Sequence, residues 1–105
     1  MTEKPPSVIA DITIFPVGEG TSVGNYAREA FKAMKDNKNV KLEPTAMSTV
    51  VEAGNLRDVL TTLETAHEAI LKMGAKRVYI VLRVDHRLDK PHSADYKINR
   101  MTGKL

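Results

Sequence analysis

Residues 40–53 read VKLEPTAMSTVVEA. Val40 and Leu42 alternate with Lys41 and Glu43, the two-residue period of a half-buried strand. Residues 48–53 are rich in β-branched side chains and form a second strand. Pro44-Thr45-Ala46-Met47 links the two, so the segment is predicted to be a hairpin. What flanks that hairpin decides the fold.

Downstream, Gly54 stops the second strand and Asn55 is a good helix N-cap, with Asp58 in the electropositive first turn. Leu56, Val59, Leu60, Leu63, His67, Ile70 and Leu71 then recur at helical spacing, and Gly74 stands where a C′ residue belongs. Residues 77–86 return to strand character, Val78, Ile80, Leu82 and Val84 alternating with Tyr79, Val81, Arg83 and Asp85. Upstream, residues 8–15 alternate in the same way. Val8, Ala10, Ile12 and Ile14 form the uniformly apolar set, and Pro16 ends the strand. A loop with Gly18 and Gly20 follows, then Ser22 or Thr21 as cap, then Val23, Ala27, Ala30, Phe31 and Met34 on one helical face. Asp36-Asn37-Lys38-Asn39 ends that helix.

The hairpin thus lies between two helices, each joined to an outer strand. The order β-α-β-β-α-β is the split βαβ arrangement: an α+β, ferredoxin-like sandwich with an antiparallel sheet and two helices on one face. The tail from His86 onward is polar; Tyr96 and Ile98 alternate within it, so an extra C-terminal strand is expected there.

The 105 residues point to one domain, 1–105. Hydrophobic residues at 42% and charged residues at 28% are ordinary for a soluble globular chain, and the absence of cysteine rules out disulfides and thiolate metal sites. The first residues lack the apolar stretch of a signal peptide, and no run approaches the ~18 apolar residues of a membrane helix. A cytoplasmic location is expected. The net charge of +3 comes from Lys and Arg interleaved with Asp and Glu, which reads as a mixed solvated surface rather than a nucleic-acid patch.

The second sheet face is predicted to carry Ile9, Asp11, Thr13, Phe15, Tyr79, Val81, Arg83 and Asp85. Half of that set is apolar and large, so either a second copy or the tail folding back is expected to cover it. Asp11 and Arg83 are placed to pair across the sheet. No nucleophile elbow, no helical His pair and no complete phosphate loop appears. His67 reads as a hydrogen-bonded boundary residue of its helix; His86 and His92, with Asp85, Asp89 and Asp95, match no known metal spacing. Base-stacking aromatics are absent from residues 48–53, against an RNA-recognition module. Gly18-x-Gly20 is either a tight turn or an anion cradle. Glu52 is either an exposed carboxylate on an edge strand or an acceptor for a basic nitrogen heterocycle.

Taken in order, Pro16-Val17-Gly18-x-Gly20-x-Ser22, Thr49-x-x-Glu52-x-Gly54, Gly74-x-x-Arg77-Val78, Asp85-x-Arg87-x-Asp89-Lys90 and Lys97 resemble the thiamine-binding protein family over nearly the whole chain. Ala53 stands where the family pattern has glycine directly after the acid. The resemblance implies homo-oligomers, dimers or dimers of dimers, that bind thiamine or its hydroxymethylpyrimidine moiety without established catalysis and without a required cofactor. Glu52, Thr49 and Ser22 match the donors and acceptors of the aminopyrimidine, and Tyr26 or Met47 is expected to cover its ring face. The chain is therefore expected to be a small-molecule carrier, buffer or sensor and not an enzyme, with no nucleic-acid or membrane partner. The competing readings are a regulatory or structural oligomer that binds another metabolite such as an amino acid, and an enzyme acting on a small substrate at a subunit boundary.

Overall fold

The computed structural model describes residues 6–104. The outermost ends of the single-domain reading, including the polar start at Met1, lie outside the described residues. Seven elements follow in order: β1 (Val8–Pro16), α1 (Gly24–Met34), β2 (Val40–Pro44), β3 (Thr49–Ala53), α2 (Leu56–Lys72), β4 (Val78–His86) and α3 (Ala94–Thr102). The strands form one antiparallel sheet in the order β2-β3-β1-β4. The expected ferredoxin-like α+β fold is what the chain adopts.

Register follows from the apolar alternation. Ala10 stands opposite Val51 and Val84, and Ile12 opposite Thr49 and Leu82. One face of β1, with Val8, Ala10 and Ile12 buried, therefore meets Val51 and Ala53 of β3 under the two long helices. α2 contributes Val59, Ala66 and Ile70, all fully buried; α1 contributes Ala30 and Met34. Burying a side chain the size of Ile70 stabilises the fold by about 1.5–3 kcal/mol. A one-residue slip of β1 would turn that whole set to the opposite face.

The helix ends show which local signals acted. Asn55 caps α2 as expected, its side chain accepting from the Asp58 amide at 2.9 Å, and Gly74 follows the helix at φ +94°. α1 departs from expectation: Val23 occupies the N-cap with no side-chain bond, so neither Ser22 nor Thr21 caps it, and Ala27 is exposed. Buried Thr62 is satisfied on both sides, its hydroxyl donating to the Asp58 carbonyl and accepting from the Asn37 amide group. Asn37 so ties the turn after α1 to α2.

The expected C-terminal strand is a helix. Two alternating apolar residues are too few to define a strand, and helix-end signals prevail: Ser93 accepts from the Tyr96 amide, Asp95 lies in the first turn, Arg100 in the last, and Gly103 adopts the left-handed C′ conformation. α3 begins against the sheet face opposite α1 and α2. The tail thus folds back over one end of that face, leaving Phe15, Tyr79 and Val81 exposed at the other.

Removing the Asn55 cap is expected to cost about 1 kcal/mol. Thermal unfolding of Asn55→Ala followed by circular dichroism should fall by roughly 4–8 °C. An unchanged midpoint would mean the cap hydrogen bond does not stabilise α2.

Candidate functional site

The five site residues proposed from sequence fall at two ends of the sheet. Thr49 and Glu52 are three residues apart on one strand, an odd spacing that puts their side chains on opposite faces, with a separation of about 10 Å along the strand. Thr49 shares the helix-covered face with Val51 and Ala53, beside Ile12. Ser22, Tyr26 and Met47 belong to the same end, where β1 finishes and the hairpin turns. Ser22 is exposed in the β1–α1 loop. The Tyr26 hydroxyl donates to Glu19 at 2.9 Å, and that carboxylate holds the phenol above its usual pKa. Met47 is 83% exposed, its carbonyl accepting from the Thr13 hydroxyl. Gly18 and Gly20 of this loop both have positive φ, as a tight turn requires. Within one chain, Glu52 does not join these four residues around a single ring.

Glu52 belongs to the other end, on the face the long helices leave open. It is 6% exposed, and β3 is an interior strand, which removes the reading of an exposed edge carboxylate. Cross-strand register lines up Lys41, Glu52, Ile9 and Asp85 in one row. The start of α3 roofs that row. The Ala94 amide donates to Glu52 Oε1 at 2.8 Å, Lys97 pairs with Asp85, and Lys41 Nζ lies 3.8 Å from Glu52 Oε2 and 3.9 Å from Asp95. The chain reaches this position because residues 6–7 hold its lead-in. Arg87 donates its amide to the Ser7 carbonyl at 2.9 Å, and His92 donates to Pro6 at 2.7 Å.

His92 is 6% exposed, and its buried Nε2 has no hydrogen-bond partner among the described residues. Leaving such a nitrogen unpaired is costly and calls for an explanation. Beside it opens a shallow recess of ≈ 240 Å³ lined by Pro6, Pro91, His92, Ser93 and Tyr96. The Lys90 ammonium lies 5.6 Å from the centre of the Tyr96 ring, a cation held on an aromatic face.

The middle of the open face carries the expected Asp11–Arg83 pair, with Arg83 Nε at 3.0 Å from the carboxylate and Ser48 donating at 3.4 Å. Hydrogen bonding from Arg83 holds the Asp11 pKa below its ordinary value; Lys97 does the same to Asp85, and Arg87 to Asp89. Phe15 and Tyr79 stack with ring centres 5.3 Å apart. His67 is half-buried on α2. Among the described residues, no group of three His, Asp or Glu side chains is placed to hold a metal ion, and no helix is long and apolar enough to cross a membrane.

The motif residues Asp85 and Lys97, which the sequence reading did not group with Glu52, lie with it on the open face, and His92 and Tyr96, weighed there only as a metal-spacing candidate and as part of a strand, border the recess beside it. The odd spacing of Thr49 and Glu52 was the available signal that these two residues face apart.

The family model for the thiamine-binding proteins matches residues 10–102. A UPF0045 protein of Methanothermobacter thermautotrophicus is 33% identical, the match covering 93% of this chain and 99% of the relative. The crystal structure of a hypothetical protein from Methanocaldococcus jannaschii superposes with a TM-score of 0.80 at 34% identity, covering 93% of this chain and 97% of that one. A Thermotoga maritima structure described as a candidate thiamine biosynthesis or salvage protein gives a TM-score of 0.72 at 18% identity, over 90% and 97% of the two chains, and shows the shared fold.

The lowered carboxylates set a pH dependence. A group whose pKa is depressed on folding stabilises the fold above its ordinary value, near 3.8 here, and that stability is lost as the pH falls through the lowered value. Asp11→Asn should therefore melt below the wild type at neutral pH and converge with it as the pH falls from about 3.8 through the lowered value. Parallel acid limbs in the two proteins would show that Arg83 does not favour the ionised form of Asp11.

Proposed function

The chain belongs to the thiamine-binding protein family, and from that premise we propose that it binds thiamine or its hydroxymethylpyrimidine moiety without turnover. It acts as a cytoplasmic carrier, buffer or sensor and needs no further cofactor. Family membership over residues 10–102 is the observation that carries this reading. The chemistry of the Glu52 row supports it. A carboxylate shielded from water accepts hydrogen bonds from a protonated ring nitrogen and an exocyclic amine more strongly than an exposed one. Glu52 is the acid of the Thr49-x-x-Glu52 motif and the most buried carboxylate of the open face.

The working form is a homo-oligomer, a dimer or a dimer of dimers. Exposed apolar groups support this. Phe15, Tyr79 and Val81 are uncovered on the open face, and Ile80 and Val84 on the opposite face of β4. Among the described residues β4 pairs with β1 alone, so its other edge is available to a second copy.

Calorimetry with thiamine, hydroxymethylpyrimidine and a panel of amino acids tests the reading. The thiamine-type compounds should bind, and Glu52→Gln should weaken them by about tenfold or more, the effect of removing charge from a shielded hydrogen bond. Heat from amino acids with none from thiamine compounds would favour the metabolite-sensing oligomer instead. Unchanged thiamine affinity in Glu52→Gln would remove Glu52 from the site.

A further inference from the structure

Glu52 has one role in the closed chain and a second in the function proposed above, and the two compete. Its Oε1 is taken by the Ala94 amide at 2.8 Å, and at 6% exposure the carboxylate is largely covered in the closed chain. We propose that residues 93–102 are a strap that closes over the Glu52 carboxylate and swings away, hinging at Pro91 and His92, to admit a planar cationic nitrogen heterocycle. This inference rests on the thiamine-type reading and deepens it by naming the gate.

The strap is built to open. None of the nine residues of α3 is buried, so lifting it exposes no core. Its hold on the sheet lies in its first turn: the Ala94 amide on Glu52, Lys97 on Asp85, and Asp95 beside Lys41. Both ion pairs are solvent-exposed and so are screened by salt. The chain leading into the hinge is anchored by contrast, the Arg87 amide being bonded to Ser7 and the His92 amide to Pro6.

Two further observations point to a ligand. His92 Nε2 is buried without a partner while the strap is closed, and a ligand that enters beside it satisfies that nitrogen. Tyr96, carried on the strap itself, holds the Lys90 ammonium over its ring in the closed chain, so its face accepts a cation and can follow a cationic ring as the strap moves. Glu52, Asp85 and Asp95 stand against Lys41, Lys97 and the Lys90 ammonium on Tyr96, so an incoming cation that displaces Lys90 leaves the local charge balanced.

Amide hydrogen exchange by NMR on the full chain tests this in two arms. Ala94 is the first residue of α3, and its amide has Glu52 as its partner, so its protection reports that contact directly. Without ligand, the amides of Ala94, Tyr96 and Lys97 should exchange about 100-fold faster than those of Ala66 and Ile70 in α2, and faster still at about 1 M salt. Protection equal to α2 would overturn the strap whatever the ligand. With saturating thiamine, the Ala94 amide should exchange about tenfold faster again as the ligand takes its acceptor. Thiamine heat by calorimetry with unchanged or increased Ala94 protection would overturn the strap and leave the function standing. No thiamine heat, with strap amides that open locally, would overturn the thiamine reading alone.

Discussion

A carboxylate on the uncovered face of a sheet does not stay shielded from water unless something supplies both a roof and a hydrogen-bond donor. Glu52 stays shielded because the chain after β4 turns back and places the Ala94 amide on it. That single contact organises the polar end of the molecule. It falls on the first residue of α3, whose start Ser93 caps, one turn before the Lys97–Asp85 pair. It also depends on Pro6 and Ser7, whose carbonyls hold the lead-in to α3. Residues 6–7 and the lead-in to α3 thus come together beside Glu52, the buried acid of the open face.

The sheet makes this possible through parity. With β1 between β3 and β4, every second residue of the two inner strands is committed to the helix-covered core, and the alternate set is left for other work. At one end of that set the chain roofs itself. In the middle Asp11 and Arg83 neutralise each other. At the far end Phe15, Tyr79 and Val81 remain uncovered. A shielded polar row and an uncovered apolar surface thus occupy one face of a small domain without competing for the core.

Much of the fold was legible because its signals are local and repeated. The hairpin over residues 40–53, the Asn55 cap, the Gly74 stop and the alternation in β1 and β4 all agree with one topology. Two things were not legible. The α1 start lacks a side-chain cap, so the capping residues at positions 21 and 22 misled; tertiary packing of Ala30 and Met34 fixes that helix instead. The tail showed only Tyr96 and Ile98 in alternation, and its helix depends on the Ser93 cap and on partners from β2, β3 and β4 far away in sequence. The relative placement of the expected site residues was legible only in part: the three-residue spacing already sets Glu52 and Thr49 on opposite faces of β3, whereas the positions of Ser22, Tyr26 and Met47 depend on the β1–α1 loop and the hairpin turn, which carry no such period.

The central claim is that ligand is held at the Glu52 end of the open face. An NMR chemical-shift map of the full chain titrated with thiamine decides it. The account predicts that the largest changes fall on Glu52, Ala94, Tyr96 and the His92 ring. Changes confined to Ser22, Tyr26, Met47 and Thr49, with Glu52 silent, would contradict it and put the site at the opposite end of the sheet.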